Sequence, residues 1–466
     1  MKNIFYLSIL IIFYPGYCLA QIWDDVGGGV RFHNPMSTNV TALGVYNNEL
    51  YVGGTFDTAG TLPALFHARW DGYSWDSVGL GFPKGLNGHI ETYCVIGNEL
   101  YVGGNFRGLY SGLPFPFNVI PHTQNLAKWD GVNWSAVSTS DVGGTVDYVN
   151  GISYYDGQLY IGGTFNNIGA LATNAIASWD GIGWGNVNGG VAGSFQDIEK
   201  LLLFNGQLVA IGNFYAAGGL QTNFIAEWNG IDWDSVGGGF DYYAACMEVD
   251  SSNHLLFVGG AFYYAGDTNT IVKGSAKWNN NNWSALDTNL CGDFMSMCMY
   301  RDKLFAGGNF DYVNCSAGQT CHLAYFDGVH WNPVSGPNQD VLAMTVFNDT
   351  LVIGGYFDSV GVAPFNHLAK YFIPVTNVYN QNMKGDFDCY SKQDQLIVHI
   401  KNLNGISDGL LQVYDLTGKC IREFPIEFYS NDITLKFNLG GVSVGTYISK
   451  LFIGSETVST KKLYIY

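Results

Sequence analysis

The sequence has few charged residues and very few basic ones. Only 13% of its 466 residues are Asp, Glu, Lys or Arg, and 21 basic residues stand against 39 acidic ones. The formal charge of −18 comes from the residues before Thr376, because the part from Thr376 onward is balanced. A negative field of this size repels nucleic acid and anionic lipid, so we exclude those partners. Neutral sugars, cations and basic proteins remain as ligands.

A membrane-spanning helix needs roughly 20 consecutive apolar residues. No run of that length occurs after the N-terminal region. The N-terminus carries Lys2, an apolar run over residues 4–13 and then Cys18-Leu-Ala20. This order predicts a secretory signal peptide over residues 1–20. A membrane anchor would need a longer run, and a lipoprotein signal would need a small residue in place of Tyr17. We therefore expect an exported mature chain with no membrane span.

Cysteine is scarce, with nine residues in the chain and eight after the predicted signal peptide. Export permits disulfides, since the compartments outside the cytosol are oxidising. The candidate disulfide cysteines are Cys315 and Cys321 in one loop, and Cys389 and Cys420 in the C-terminal region. The partners of the other four stay open, and we expect some to be buried thiols; they are Cys94, Cys246, Cys291 and Cys298.

Glycine and aromatic residues are abundant and lie in repeats. The motif Leu-Tyr-Val-Gly-Gly-Thr-Phe at residues 50–56 recurs about every 50 residues, as expected of a repeat architecture. Its seven copies begin at Leu50, Leu100, Leu159, Leu208, Leu256, Leu304 and Leu351. In the fourth copy Ile211 replaces the first glycine.

A second motif, Ala-x-Trp-Asp-Gly-x-x-Trp, keeps step with the first at residues 68–75, 127–134 and 177–184, and weaker copies follow. The Asp-Gly pair favours a type I′ turn between two antiparallel strands. Each repeat can therefore be divided into four strands, which we name a to d in chain order. Four antiparallel strands per repeat are typical of a propeller blade. The sequence predicts an all-β fold with a seven-bladed β-propeller over residues 21–374.

The seventh repeat lacks its last strand, because no Trp-x-x-Val follows Tyr371. The missing pattern stands near the N-terminus as Trp23-Asp-Asp-Val26. We expect residues 22–27 to complete the seventh blade, which would also cover two exposed strand edges.

Over residues 22–373 the repeats resemble kelch-type propellers of the galactose oxidase class. They also resemble repeats of fungal cell-polarity surface proteins. The resemblance implies the propeller fold. It implies no copper site, because no motif matching the copper ligands of galactose oxidase is recognisable.

The C-terminal region, residues 375–466, has alternating apolar segments that predict a small β-sandwich. Three segments appear in order: Val413-Tyr-Asp-Leu-Thr-Gly-Lys419, Gly445-Thr-Tyr-Ile448 and Lys461-Lys-Leu-Tyr-Ile465. This order resembles the C-terminal sorting domain (type A) of the type IX secretion system of Bacteroidota. The family's opening Tyr-Pro-Asn-Pro element has no prolines here. The resemblance implies export by Sec and then by the type IX machinery, to the medium or the outer-membrane surface.

The b–c and d–a connections are long and variable, and binding residues often lie on such loops. Aromatic side chains on them are candidate ligand-binding residues for a glycan; they are Phe32, Tyr110, Phe115, Phe117, Tyr215, Tyr263, Tyr264 and Tyr312. The alternative is that these rings pack against their own loops.

Catalytic signatures are absent: the sequence contains no G-x-S-x-G, HExxH or P-loop motif. We predict no catalytic residue, no metal ligands and no cofactor. Histidines on the loops could hold a metal as an alternative; they are His33, His89, His122, His322 and His367. The favoured function is binding or adhesion to an extracellular glycan or protein. The alternatives are a carbohydrate-active lyase or hydrolase and a structural layer protein.

Overall fold

The computed structural model describes residues 22–33, 38–79, 88–111, 118–144, 147–267, 270–312, 320–334, 336–361, 363–372, 386–392, 395–401, 408–414, 420–427, 432–439, 442, 445–453 and 456–465. The predicted signal peptide, residues 1–20, lies outside them. The chain divides into two compact units, Gln21–Phe372 and one that contains Ile373–Tyr466. The described residues form strands and no helix, which confirms the predicted all-β class.

The strands of the first unit follow one another at short intervals. The first group is β1 (Ile22–Asp25), β2 (Val30–Arg31), β3 (Asn39–Tyr46), β4 (Glu49–Thr55), β5 (Thr58–Ala59), β6 (Leu62–Pro63), β7 (His67–Trp70), β8 (Trp75–Asp76), β9 (His89–Ile96), β10 (Glu99–Asn105), β11 (Leu109–Ser111), β12 (Asn118–Ile120), β13 (Leu126–Trp129) and β14 (Trp134–Ser135). The second is β15 (Val149–Tyr155), β16 (Gln158–Gly163), β17 (Asn167–Ile168), β18 (Leu171–Ala172), β19 (Ile176–Trp179), β20 (Trp184–Asn186), β21 (Val191–Ala192), β22 (Asp197–Phe204), β23 (Gln207–Asn213), β24 (Ala216–Ala217), β25 (Leu220–Gln221), β26 (Ile225–Trp228) and β27 (Trp233–Ser235). The third is β28 (Ala244–Asp250), β29 (Leu255–Gly260), β30 (Tyr264–Ala265), β31 (Thr270–Ile271), β32 (Ser275–Trp278), β33 (Trp283–Ala285), β34 (Leu290–Tyr300), β35 (Lys303–Tyr312), β36 (Thr320–Phe326), β37 (Trp331–Pro333), β38 (Val341–Phe347), β39 (Thr350–Gly355), β40 (Ser359–Val360), β41 (Ala363–Pro364) and β42 (Leu368–Phe372).

Within the described part of this unit, seven sheets have four antiparallel strands each. In chain order they are sheet 1 (β3-β4-β7-β8), sheet 2 (β9-β10-β13-β14), sheet 3 (β15-β16-β19-β20), sheet 4 (β22-β23-β26-β27), sheet 5 (β28-β29-β32-β33), sheet 6 (β34-β35-β36-β37) and sheet 7 (β38-β39-β42-β1). The repeated four-stranded sheets are compatible with a propeller. The last strand of sheet 7 is the N-terminal strand β1, in which Trp23 pairs with Tyr371 of β42.

The turn between the third and fourth strands repeats one hydrogen-bond pattern. In sheet 1, Asp71 Oδ1 accepts hydrogen bonds from the backbone N–H groups of Tyr73 and Ser74, each at 2.7 Å. Side-chain oxygens that accept local N–H groups in this way are typical of Asx turns. The same two acceptor bonds recur in sheets 2 to 6 at Asp130, Asp180, Asn229, Asn279 and Asp327.

The glycines of the repeat make room for close contacts, and the second one does so for the backbone of its own sheet. Every first strand carries a register shift of the β-bulge type near its start, as between Val149 and Gly151. The bulge brings the Tyr148 carbonyl oxygen so near the second strand that a Cβ on Gly163 would lie 1.9 Å from it. The second glycine of every pair meets the corresponding carbonyl at 1.9–2.4 Å. A side chain at this position is therefore excluded by the backbone itself.

The first glycine of each pair faces the next sheet instead. A Cβ on Gly103 of sheet 2 would lie 2.6 Å from Val149 of sheet 3, and a Cβ on Gly354 of sheet 7 would lie 2.4 Å from Val40 of sheet 1. The exception is Ile211 of sheet 4, whose counterpart on sheet 5 is Ala244, in the same buried cluster. A large residue on one side is thus matched by a small one on the other.

Tryptophan side chains also link neighbouring sheets. Trp134 Nε1 donates to the Val78 carbonyl oxygen at 2.9 Å, and Trp233 Nε1 donates to the Val187 carbonyl oxygen at 3.0 Å. Trp75 of sheet 1 donates in the same way to Gly27, which follows β1 of sheet 7, at 2.9 Å. First strands of successive sheets contact one another, and β38 of sheet 7 contacts β3 of sheet 1. The chain of contacts therefore returns to its start.

The second unit has two described sheets. Its strands are β43 (Asp386–Lys392), β44 (Gln395–Lys401), β45 (Asp408–Tyr414), β46 (Cys420–Glu427), β47 (Asp432–Asn438), β48 (Gly445–Ile453) and β49 (Glu456–Ile465). One sheet has the order β43-β44-β47 and the other β46-β45-β48-β49. Buried Leu396 and Val398 of the first sheet share one hydrophobic cluster with Leu411 and Leu451 of the second. Burial of such side chains is the main source of stability for a unit of this size.

Candidate functional site

One side of the first unit carries the connections between second and third strands and between successive sheets, and we call it the loop side. These connections are themselves paired. In β2, which precedes sheet 1, Val30 pairs with Ala59 of the β5–β6 hairpin. Before sheet 4, Val191 pairs with Ala217 of the β24–β25 hairpin. The connections on the loop side therefore form short hairpins, and their strand pairing orders the backbone that carries the exposed side chains.

The predicted ligand-binding aromatics have different surroundings. Phe32 is half-buried and stacks on Phe66 with ring centroids 6.5 Å apart, so its ring packs within the protein. Tyr110 lies in β11 opposite Val119, and Tyr312 lies at the end of β35. Phe115 and Phe117 fall outside the described residues. The remaining three, Tyr215, Tyr263 and Tyr264, are exposed on the loop side of sheets 4 and 5.

Tyr215 belongs to a line of rings that leads toward the centre of the unit. Its ring packs edge-on against Phe224 at 5.3 Å, and Phe224 lies 6.4 Å from Tyr242. Tyr242 in turn contacts Tyr243 at 5.3 Å. Tyr215 and Tyr242 are 48% and 56% exposed, whereas Phe224 is buried beneath them. A buried ring thus supports two exposed ones.

Tyr263 and Tyr264 extend this surface through a shared anchor. Asp241 Oδ1 accepts hydrogen bonds from both of their backbone N–H groups, each at 2.8 Å. Their rings contact each other at 4.9 Å. We call the whole set the aromatic patch: Tyr215, Phe224, Tyr242, Tyr243, Tyr263 and Tyr264. Tyr242 and Tyr243 were not among the predicted site residues. They contact the other rings because they directly precede the bulged strand β28, and the sequence does not show that position.

The inner end of the patch reaches a ring of polar residues that we call the axial mouth. Each sheet contributes one residue, at or just before its first strand, whose carbonyl oxygen lies against the second glycine of the repeat. These residues are Asn39, His89, Tyr148, Asp197, Tyr243, Asp293 and Asp340. The residues at this register differ from sheet to sheet, although the backbone around them repeats. Burial raises the pKa of Tyr243, and the charge of Asp293 raises it further.

Carboxyl groups are concentrated at this mouth. Glu199, the unpaired residue in the bulge of β22, shares a hydrogen bond with Asp197. Burial raises the pKa of Glu199, and the negative charge of Asp197 raises it further. Asp197 also accepts a hydrogen bond from Asn150 Nδ2 at 3.1 Å. The pair therefore holds a proton at a higher pH than separate carboxyls would, with Glu199 as its donor.

Below the mouth lies an axial cavity of about 140 Å³. Its walls come from first strands of six sheets. Glu91 lines the cavity, and its Oε1 lies 2.7 Å from Nε2 of His89 in the mouth. Lys200 is the one basic residue among the described groups that line it. The approach along the axis is therefore predominantly acidic.

The loop histidines mostly pair with carboxylates. His33 Nδ1 lies 2.7 Å from Asp57, and His322 Nδ1 lies 2.9 Å from Asp340. His122 is 3.9 Å from Asp141. In the described part of the chain, no three His, Cys, Asp or Glu side chains are grouped so that they could hold a metal ion.

Four of the described cysteines carry free thiols. Cys94, Cys246 and Cys298 carry thiols, as expected for some of this group, and burial raises the pKa of Cys94 to about 11. Cys420 also carries a thiol, with its sulfur 3.4 Å from the Arg422 carbonyl oxygen. Cys315 and the side chain of Cys321 lie outside the described part, so a disulfide between these two stays a prediction. The thiol at Cys420 contradicts the predicted disulfide with Cys389.

Comparisons with known proteins reach only distant structures. No protein-family model and no curated protein matches the chain. The computationally designed Ika8 protein is similar at a TM-score of 0.38 and 11% identity, over 75% of this chain and 99% of that one. A glycoside hydrolase of family 32 from Bifidobacterium adolescentis is similar at 0.24 and 10%, over 94% of this chain and 77% of that one. At these TM-scores neither likeness decides fold or function. Within the described residues, no helix has the length and apolar character to cross a membrane.

Proposed function

We propose that Gln21–Phe372 is a seven-bladed β-propeller that binds a neutral glycan outside the cell. Support for the architecture comes from the seven four-stranded sheets, the circuit of first-strand contacts and the pairing of β1 with β42. Such a ring leaves only short strand edges and presents its loops from a rigid scaffold.

The aromatic patch carries the proposal for function. Exposed rings on ordered backbone offer flat apolar faces at small entropic cost, and the adjoining carboxyl groups can accept hydrogen bonds from hydroxyls. The rings of Tyr215 and Tyr242 would stack on sugar rings. Asp197 and Asn150 would bind hydroxyl groups at the end of the glycan. The excess of acidic groups at the mouth disfavours uronic acids and sulfated sugars, so the ligand class is neutral.

A glycan array with the purified full chain tests this function. We expect retention of neutral polysaccharides and loss of at least about tenfold in affinity for Tyr215→Ala and for Tyr242→Ala, because a stacked aromatic ring contributes on the order of 1–3 kcal/mol. The matched control is Tyr73→Ala, which removes a ring that is 55% exposed on the turn between β7 and β8.

Equal loss of binding in the control would indicate unspecific adhesion to exposed aromatics. Unchanged binding in both patch variants would remove the patch from the site. Preference for acidic over neutral glycans would contradict the assigned ligand class.

A carbohydrate-active enzyme is the second candidate, and the hydrogen-bonded Asp197–Glu199 pair favours it. A carboxyl group that keeps its proton near neutral pH can act as a general acid. Release of reducing ends from a bound polysaccharide, abolished by Glu199→Gln, would support catalysis. Binding without any release, in the wild type and the variant alike, would leave the protein a lectin-like binder.

For export, we propose that residues 1–20 are a cleaved signal peptide and that residues 375–466 are a β-sandwich sorting domain of the type IX secretion system. The two sheets of the second unit and their common core are consistent with a sandwich. Intact mass of the protein recovered from culture medium tests the signal peptide, and deletion of residues 375–466 tests the sorting domain. A mature start at Gln21 supports the signal peptide, and retention of the chain in cells after deletion of 375–466 supports the sorting domain.

A further inference from the structure

The side of the first unit opposite the loop side carries the turns between first and second strands and between third and fourth strands, and we call it the turn side. In five of the six described turns between third and fourth strands, a large apolar residue stands two positions after the Asp or Asn. Their side chains are 55–90% exposed; they are Tyr73, Val132, Ile182, Ile231 and Val329. One exposed apolar residue is ordinary, but recurrence at a position that the turn leaves free indicates an interaction surface.

One register of the third strand sets the charge beside these turns. In sheet 1 this residue is Arg69, which lies opposite Asp76 of the fourth strand and forms an ion pair with it at 2.6 Å. In sheet 7 it is Lys370, opposite Asp24, and the ion pair measures 3.1 Å. In these two sheets an acidic residue of the fourth strand is therefore neutralised across the strand pair.

Sheet 4 departs from this arrangement. Glu227 occupies the register of Arg69 and Lys370, and it lies opposite Asp234. Burial raises the pKa of Glu227, and the negative charge of Asp234 raises it further. Like charges directly opposite each other destabilise a strand pair, so this position lacks the cation that sheets 1 and 7 supply themselves.

The surroundings of this hairpin provide no replacement cation. Lys200 is the one basic residue of the segment 149–235, which forms sheets 3 and 4, and it lines the axial cavity instead. The nearby charges are acidic: Asp232 is exposed in the turn itself, and a Cβ on Gly230 would lie 4.0 Å from Asp156 Oδ2. The exposed apolar residue of this turn is thus surrounded by unneutralised carboxyl groups.

We propose that the β26–β27 hairpin docks a protein segment that carries an Arg or Lys side chain beside an apolar one. The basic group binds between Glu227 and Asp234, as Arg69 binds Asp76 within sheet 1, and the apolar side chain packs on Ile231. Charge complementarity selects this partner, because a second copy of the chain would bring the same carboxyl groups to the contact. The surface lies on the turn side, so it is separate from the aromatic patch of the loop side.

An array of short peptides that contain arginine and leucine in every order, incubated with the purified full chain, tests the docking surface. Fluorescence anisotropy of the peptide that binds best should show saturable binding of one peptide per chain. We expect at least about tenfold weaker binding in Glu227→Arg, because the new guanidinium pairs with Asp234 inside the chain. The same variant should unfold at a higher temperature than the wild type, which separates lost binding from misfolding. Ile231→Ser should weaken binding about fivefold through lost apolar contact.

Two matched controls distinguish this site from general attraction to an acidic protein. Val132→Ser removes the equivalent exposed side chain of sheet 2, where Lys128 occupies the register of Glu227 and lies 2.9 Å from Glu99. Glu423→Arg, in the second unit, changes the net charge by the same amount as Glu227→Arg. Both controls should bind the peptide as the wild type does at about 0.15 M salt, where distant charges are screened.

The absence of saturable binding to every arginine-containing peptide would overturn the proposal. Equal weakening in Glu227→Arg and Glu423→Arg would also overturn it, because net charge alone would then explain the binding. Unchanged binding in both Glu227→Arg and Ile231→Ser would place the contact elsewhere. Binding to vesicles of zwitterionic phosphatidylcholine, with none to the peptides, would assign the exposed apolar residues to a lipid surface and reject a protein partner.

Discussion

The junctions between neighbouring sheets and the axial mouth are built from the same seven sheets, yet they follow opposite rules. At six of the seven junctions glycine faces a larger side chain, and the seventh exchanges the sizes, with Ile211 against Ala244. At the mouth, one register carries Asn, His, Tyr or Asp according to the sheet. Repetition therefore maintains packing, and variation creates a surface with local chemistry. Substitutions at the two regions should accordingly affect different properties.

The largest effect on stability is expected at a second glycine. In Gly163→Ala the new Cβ would lie 1.9 Å from the Tyr148 carbonyl oxygen, and the backbone cannot give way without breaking the bulge. We expect the free energy of unfolding to fall by roughly 3 kcal/mol or more, measured by urea denaturation. Gly183→Ala is the control, because nothing lies within 4 Å of its added Cβ. Equal stability of the two variants would contradict the steric account.

The exchanged junction offers a double-mutant cycle. Ile211→Gly should reduce the free energy of unfolding by about 2–4 kcal/mol through a cavity, and Ala244→Val by about 1–3 kcal/mol through crowding. The double variant restores the glycine–valine arrangement of the junction between Gly103 and Val149, so it should be more stable than the sum of the single changes predicts. Strict additivity would show that the two sites do not pack on each other.

A third prediction concerns a junction with a titratable group. His67 is buried beside Tyr93 and Trp134, and burial, followed by the charge of Arg69, lowers its pKa to about 3. The unfolded chain therefore takes up a proton first as the pH falls below 6.5. The resulting loss of stability is up to about 1.4 kcal/mol per pH unit between pH 6.5 and pH 3.

Leu126 occupies the same register in sheet 2, so His67→Leu is the natural comparison. The difference in unfolding free energy between the wild type and His67→Leu should grow as the pH falls from 7 to 4, in urea titrations at each pH. A difference that is constant with pH would mean that His67 is not kept neutral by burial.

The smallest effect on stability is expected at the loop side. Tyr215→Ala removes a ring that is 48% exposed, and the free energy of unfolding should change by less than about 0.5 kcal/mol. The same variant should lose glycan affinity. Thermal unfolding and binding of the same preparation test both points. A large loss of stability would place Tyr215 with the packing residues and not with the site.

The periodic motifs predicted the repeated part of the fold, because each copy repeats the same local physics. The spacing of the motifs predicted the Asp-Gly turns, the four-stranded sheets and the pairing of Trp23 with Tyr371. It did not predict the match of Ile211 with Ala244, because that match depends on packing between two repeats. The bulges were also not predicted. The second glycine, present in all seven repeats, is the sequence feature that accompanies them, because it makes room for the carbonyl oxygen at the bulge.

The candidate site was predicted only in part for a related reason. Tyr215, Tyr263 and Tyr264 stood out as aromatics on loops, while Phe32 had the same signal and packs on Phe66. Glu199 lies inside a strand, where alternation gives no sign that a bulge leaves it unpaired at the axis. Sites built from single positions of several repeats have no local motif.

We propose that the first unit is a closed ring completed by its own N-terminal strand. Oxidative cross-linking of the double variant Trp23→Cys/Tyr371→Cys tests it most directly, because these residues are directly opposite in the ladder. A closed ring should give an intramolecular disulfide in intact mass and peptide mapping, whereas Trp23→Cys/Val352→Cys, one strand further away, should give none. Free thiols in the first pair, or cross-links only between molecules, would contradict the closed ring.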